Sequence, residues 1–220
     1  MRLRIDLKIF IIAILFYLTK QIEIYAILMI FTFMHECGHL IAGMCLGFIP
    51  EKINILPIGF SVSFKIPIDY YNKKIKNSNL LSIKKIIIAF AGPLVNLIIV
   101  VIFFMFKFGF YETQITDIIY ANIILVLFNL IPIYPLDGGQ ILKQILKIKY
   151  GVKNSIRYIN IIQNISMILL TMISSIAIVY LQNIAILVII LYLWVITIRE
   201  NKKYAMYKRI YEYIKQINDV

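Results

Sequence analysis

The 220 residues make a 25.7 kDa chain that is 61% apolar and only 15% charged, with a mean hydropathy of +0.87. Soluble domains are nearer half apolar and a quarter charged, so this composition excludes a water-soluble globule, a disordered chain and a secreted disulfide scaffold. The 23 Lys and Arg against 11 Asp and Glu give a net charge of +12. They lie between apolar segments, where a basic excess sets membrane topology before it signals nucleic-acid affinity, and no nucleic-acid partner is expected.

A spanning helix needs about 20 mainly apolar residues. Six segments qualify, at about 6–19, 22–47, 84–107, 114–133, 157–180 and 182–199. The first follows a basic start but lacks a small-x-small cleavage site, which predicts a retained span and not a removed leader. Cys37 and Cys45 share the second segment, about 12 Å apart along a helix axis, too far for a disulfide. Basic residues fall at the N-terminus (Arg2, Arg4, Lys8), between spans two and three, between spans four and five, and after Arg199, leaving Lys20 and Lys107 for the other side. Both termini are therefore expected to be cytoplasmic.

Two further pieces are predicted not to span. In 58–66, Phe60, Val62, Phe64 and Ile66 alternate with Ser61, Ser63 and Lys65, the period of a strand. A small interfacial β element at about 53–66 is expected. The tail places Tyr207, Ile210, Tyr211, Ile214 and Ile217 at helical spacing among basic residues, which predicts a basic amphipathic helix on the bilayer surface. The expected class is an all-α membrane protein of six transmembrane helices, with a core over 1–199 and a cytoplasmic tail over 200–220.

The chain has two histidines, both in His35-Glu36-Cys37-Gly38-His39. On a helix, residues four apart share a face, so both imidazoles can bind one metal ion, and Glu36, offset by about 100°, is placed to act as a general base. Ionisable groups inside a span are costly and point to function. Catalytic zinc takes three protein ligands. With no third histidine and both cysteines on the same helix, a carboxylate is required. Nine of the acidic residues fall in tails, loops or span ends, leaving Asp137 besides Glu36. Asp137 lies in the string from Asn129 to Gly139, where Pro132 and Pro135 break the fourth helix and Gly138 permits a turn. A third string, Ala91-Gly92-Pro93-Leu94-Val95-Asn96, has small residues that allow close helix packing. Gly92, Pro93 and Asn96 are expected to be structural.

Taken in order, the HECGH span, the AGPLVN span and the NLIPIYPLDGG segment resemble the site-2 protease family of intramembrane zinc metalloproteases. The resemblance implies one zinc per chain held by His35, His39 and Asp137, with Glu36 as general base. It also implies that Asn129 lies beside the site to position the substrate backbone. The 58–66 segment resembles the family's membrane-embedded sheet near the cleft, with Phe60 and Val62 as substrate-binding residues. Six spans and cytoplasmic termini look most like the stage IV sporulation protease subgroup, which processes a pro-sigma factor, here without a PDZ insertion or a CBS domain. The expected partners are a membrane-tethered protein substrate, a membrane-protein inhibitor or regulator, and the lipid of a bacterial cell membrane. A zinc transporter and a catalytically inactive membrane scaffold are the alternative functions. The outer halves of the spans are too apolar for the first, and an intact Glu36 is superfluous in the second.

Overall fold

The computed structural model describes residues 2–5, 7–18, 20, 22–56, 59–65, 76–106, 112–181 and 184–218. They form two compact units, Met1–Ile131 and Pro132–Val220. The first contains β1 (Arg2–Ile5), α1 (Lys8–Leu18), α2 (Ile22–Cys45), β2 (Ile49–Leu56), β3 (Gly59–Lys65), α3 (Lys76–Phe106) and α4 (Glu112–Asn129). The second contains a turn followed by α5 (Asp137–Leu181) and α6 (Ile184–Asn218).

In the first unit α2 buries Phe31, Thr32, His35, Gly38, His39 and Gly43, spaced three and four apart along one face. Small residues on that face let neighbours approach at backbone distance. A Cβ at Gly38 would sit 2.8 Å from the Ala91 carbonyl oxygen and 2.7 Å from Val95 Cγ2 of α3, and one at Gly43 would meet the Phe64 ring of β3. The helix stops at Gly47, which takes φ +84°. Gly47 N–H donates to Met44 O and Phe48 N–H to Gly43 O, the paired bonds of a Schellman ending. Lys84 Nζ adds a hydrogen bond to the Leu46 carbonyl, at 2.9 Å.

The next element begins at Ile49. The sheet has the order β1-β2-β3. β2 and β3 are antiparallel, with Ile53 opposite Val62, and Asn54 Nδ2 bonds Ser61 Oγ across the pair. β1 runs parallel to β2, with Ile5 opposite Ile55. The alternation therefore located the hairpin, but β2 starts four residues before the expected boundary at 53, and β1 went unrecognised. Four residues next to an apolar run carry too little period to register, and parallel pairing across a long separation leaves no local signal. Ile58 and Ile66 of the strand-like segment, Lys73 and Lys74, and the turn at 182–183 lie outside the described residues.

Three described helices are long and apolar enough to cross a membrane: Ile22–Cys45, Asn79–Phe106 and Asn154–Tyr180; Ile115–Asn129 is a shorter apolar helix. α1 has only 11 residues, below the usual spanning length. α3 begins at Lys76, eight residues before the expected start, and α4 ends at Asn129 instead of continuing to 133. Polarity is inverted relative to a soluble domain. His35, Asn96, Asn122, Gln163 and Thr197 are inside, while Phe33, Ile41, Phe90, Leu94, Phe104 and Ile173 are exposed, as expected where the bilayer is the solvent.

In the second unit α5 is bent at Gly151, whose φ of 73° and ψ of 173° are not helical. The stretch 134–156, between the fourth and fifth expected spans, forms the turn and the first arm of α5. Beyond the bend, Ser155, Ile159, Gln163 and Met167 are buried four apart. α6 buries Leu193, Thr197, Glu200 and Tyr204, and Asn201 Nδ2 donates to Asn164 Oδ1 at 2.8 Å. The tail expected as a separate helix from residue 200 is a direct continuation of α6. Nothing between Arg199 and Tyr204 breaks a helix, since Asn201 is the weakest former there.

The close approach at Gly38 is open to a direct check. Gly38→Leu forces a side chain into the Ala91 backbone, and the expected loss is about 1–3 kcal/mol, read as an earlier unfolding midpoint in detergent. An unchanged midpoint would mean that α2 and α3 can separate freely.

Candidate metal centre

His35 and His39 lie on the buried face of α2, one turn apart. Each ring is fixed by its Nδ1. His39 Nδ1 is 2.7 Å from the Ile88 carbonyl oxygen. A carbonyl only accepts, so this nitrogen carries the proton. His35 Nδ1 is 3.0 Å from Asn96 Oδ1 and donates in the same way. Both Nε2 atoms are thereby left as lone-pair donors, and they face one another at 3.1 Å. Two lone pairs at that distance repel unless a cation lies against both. Two nitrogens bound at about 2.0–2.1 Å to one tetrahedral ion lie about 3.3 Å apart, so the pair fits a zinc-like ion.

α3 supplies the rest of this cradle. Its hydrogen-bond ladder is interrupted at Pro93, which has no N–H to donate to Ala89. Ile88, one residue before that break, turns its carbonyl to His39. Gly92 matters by having no side chain: a Cβ there would meet the Nε2 atoms of both His35 and His39. Asn96, expected to be structural, is fully buried and orients a ring, the part outer-shell groups play around metal-ligating histidines. Its Nδ2 has no hydrogen-bond partner, so the residue is kept for its acceptor.

Glu36 is half-buried, one position along α2. The Val62 backbone N–H donates to Glu36 Oε2 at 3.1 Å, which joins β3 to the carboxylate. β3 is an edge strand of the described sheet. Because backbone groups alternate sides, Phe60 and Phe64 direct their N–H and C=O the same way as Val62. The Phe60 ring packs edge-on against Phe33, with centroids 5.3 Å apart. Asn129 is the last residue of α4, partly buried.

Asp137 is the first residue of α5, in the second unit, and is buried with Gly138 and Gly139. A carboxylate is favoured at a helix N-terminus. Pro132 is half-buried and Pro135 exposed in the preceding turn, which Leu136 N–H closes onto Ile133 O at 2.8 Å. Gly139 lets this turn lie directly on α5, since a Cβ there would strike the Ile133 and Tyr134 backbone. Among the described residues, His35 and His39 in the first unit and Asp137 in the second are buried side chains that each offer an atom able to bind a metal ion.

The model for peptidase family M50 matches residues 23–121 and 111–173, which takes in α2, α3, α4 and Asp137. The chain belongs to peptidase family M50. A zinc metalloprotease of Methanocaldococcus jannaschii is 34% identical to this M50 chain over 155 residues, 67% of it. The chain spans 41% of the length of that relative. The solved structure of a site-2 protease from the same organism superposes with a TM-score of 0.64 at 25% identity, covering 90% of this chain and 89% of the other.

Sequence reasoning found the two rings of this M50 chain and missed what holds them. The Ile88 carbonyl leaves no mark in the sequence, being a backbone atom. Asn96 left one, as a polar residue among Ile and Val that needed a partner. Gly92→Ala is expected to reduce bound divalent metal to near background by filling the cradle, whereas Asn96→Ala is expected to weaken affinity about 10–100-fold. Metal content after dialysis against a weak chelator reads both; wild-type retention in both variants would exclude the cradle.

Proposed function

We propose that this M50 chain is a zinc-dependent intramembrane endopeptidase that hydrolyses a peptide bond of a membrane-associated protein near the cytoplasmic face. In this reading His35, His39 and Asp137 hold the zinc, and Glu36 is the general base. The observation that carries it is the histidine pair on α2, with both Nδ1 protons committed and both Nε2 lone pairs facing one another at 3.1 Å. Family membership and the jannaschii relative named a zinc metalloprotease support the same reading.

When bound, zinc supplies a Lewis acid that activates water at neutral pH and offsets negative charge on the scissile carbonyl. The chain does the rest. Glu36 takes a proton from the attacking water and delivers it to the leaving amine nitrogen. The hydrogen bond from Val62 aims the carboxylate and restrains its rotation. Asn96 and Ile88 hold the two rings so that no reorientation is needed during reaction.

A substrate helix hides its carbonyls in hydrogen bonds and must unwind to be cut. The outer edge of β3, an edge strand of the described sheet, offers a template for the extended peptide. Phe60 and Phe64 present its backbone groups, Val62 its carbonyl, since the Val62 N–H is taken by Glu36, and Asn129 is proposed to contact the substrate main chain. A regulatory pro-protein, such as the pro-sigma factor suggested by the motif order, is the substrate class we favour. Cytoplasmic termini, a bacterial membrane and six spans complete the proposal, supported by the basic residues clustered on one side of the apolar segments.

Glu36→Gln separates binding from chemistry. The variant is expected to keep about one zinc per chain and lose cleavage of a membrane-tethered reporter by about 10²–10⁴-fold. If wild type binds zinc but cuts none of several tethered pro-proteins, the protease reading fails. Phe60→Pro tests the edge: it removes a β3 donor on the Val62 side and is expected to slow cleavage without releasing zinc. An unchanged rate would exclude strand addition.

A further inference from the structure

The second unit contains a group of charged and aromatic side chains that the mechanism does not use. Tyr134 lies in the turn that delivers Asp137, Lys143 in the second turn of α5, and Glu200, Lys203 and Tyr204 on the stretch of α6 past residue 199. Lys143 Nζ stands 5.0 Å from the Tyr134 ring centroid and 5.9 Å from that of Tyr204. One cation thus serves two aromatic faces, one on the ligand turn and one on the terminal helix. We infer that Lys143, bridging Tyr134 and Tyr204, is a positioning residue for the Asp137 turn, so that the end of α6 helps to place the proposed third metal ligand.

The inference rests on the assignment of Asp137 as a ligand, and three features of the unit carry it further. First, the turn is built to transmit position. Ile133 is fully buried, Gly139 seats the Ile133–Tyr134 backbone on the first turn of α5, and Gln140 Nε2 donates to the Pro135 carbonyl at 3.1 Å. Fixing the Tyr134 ring therefore fixes the backbone three residues before Asp137. Second, Tyr204 is anchored. It is 4% exposed and clusters with Leu146 and Ile159, against which Leu142 and Ile156 pack. Third, Glu200 has a counter-charge beside it. Glu200 is buried, and Lys203 Nζ lies 2.5 Å from its Oε1.

The surroundings keep the two phenols in their working form. Burial pushes the Tyr204 phenol up to about 12, with the Glu200 charge adding to it. Burial likewise raises Tyr134, with Glu200 acting in the same direction and Lys203 against it. Both rings therefore remain neutral phenols whose faces attract a cation. Burial lowers the Lys143 ammonium, with Lys203 and Lys147 acting in the same direction and the Glu200 carboxylate against them. Glu200 thus helps to preserve the charge on which the bridge depends. A lysine used only for solubility or for lipid headgroups would not stand between two partly buried rings.

The test uses the full chain in detergent, with zinc affinity measured by chelator competition and cleavage of the tethered reporter in parallel. Lys143→Met keeps the length of the stem and removes the charge. It is expected to weaken zinc binding about 10–100-fold, as loss of an outer-shell partner does. Lys143→Arg, which keeps a cation over the rings, is expected to restore affinity close to wild type. Equal losses in Lys143→Met and Lys143→Arg would mean a packing defect and overturn the inference. Should Lys143→Met not yield monodisperse protein, Tyr204→Leu decides by the same criterion, with a 10–100-fold loss expected. Asp137→Asn is the reference. If it loses zinc while Lys143→Met or Tyr204→Leu binds as wild type, the inference falls and the ligand assignment stands. If Asp137→Asn binds zinc as wild type, the ligand assignment itself fails and takes the inference with it.

Discussion

Two hydrogen bonds between α2 and α3 decide what the histidine pair can do. Without an acceptor at Nδ1, an imidazole is free to carry its proton on either nitrogen and to turn about its side-chain bonds. The Ile88 carbonyl removes that freedom for His39, and Asn96 removes it for His35. Both Nε2 atoms then offer lone pairs to the same small volume, which Gly92 leaves open. Much of the packing in the first unit serves that arrangement. Gly38 brings the helices to backbone distance, and Pro93 interrupts the ladder beside the carbonyl that accepts His39.

Polarity is distributed accordingly. Apolar side chains cover the outside of the spanning helices, where dispersion with lipid replaces the hydrophobic drive available in water. Polar groups are inside, and each was a cost to bury. Asn96 justifies that cost through the ring it orients. Asn164 on α5 and Asn201 on α6 offset theirs by bonding to each other. A core of this kind specifies its partners by hydrogen-bond geometry more than by shape.

How much of this the sequence revealed depended on the range of each signal. The i,i+4 histidines with Glu36 are a local pattern, and local patterns read well; so did the alternation around Phe60 to Phe64. Asp137 stood out as a candidate because acidic residues are scarce enough to audit one by one. What stayed hidden is non-local or carried by the backbone. The partner of His39 is a carbonyl, β1 pairs with a strand some fifty residues away, and the Glu36–Val62 bond joins a side chain to a main-chain N–H. Hydropathy located apolar runs but not where helices begin. Lys76 and Asp137 start α3 and α5 on polar stretches that a span search discards, and the residues past Arg199 continue α6 although their composition suggested a separate surface element.

The Schellman ending at Gly47 joins two parts of the molecule more tightly than the hairpin alone would. Only three residues separate Cys45 at the end of α2 from Ile49 at the start of β2, and those three are occupied by the left-handed glycine, its two closing hydrogen bonds and the lysine bond to Leu46. With Phe64 seated on Gly43, there is no slack between the histidine helix and the sheet. The two behave as one mechanical piece, so a load on β3 passes to the backbone that carries His35, Glu36 and His39. Changes in chain length at this joint would shift the phase of the strand against the helix.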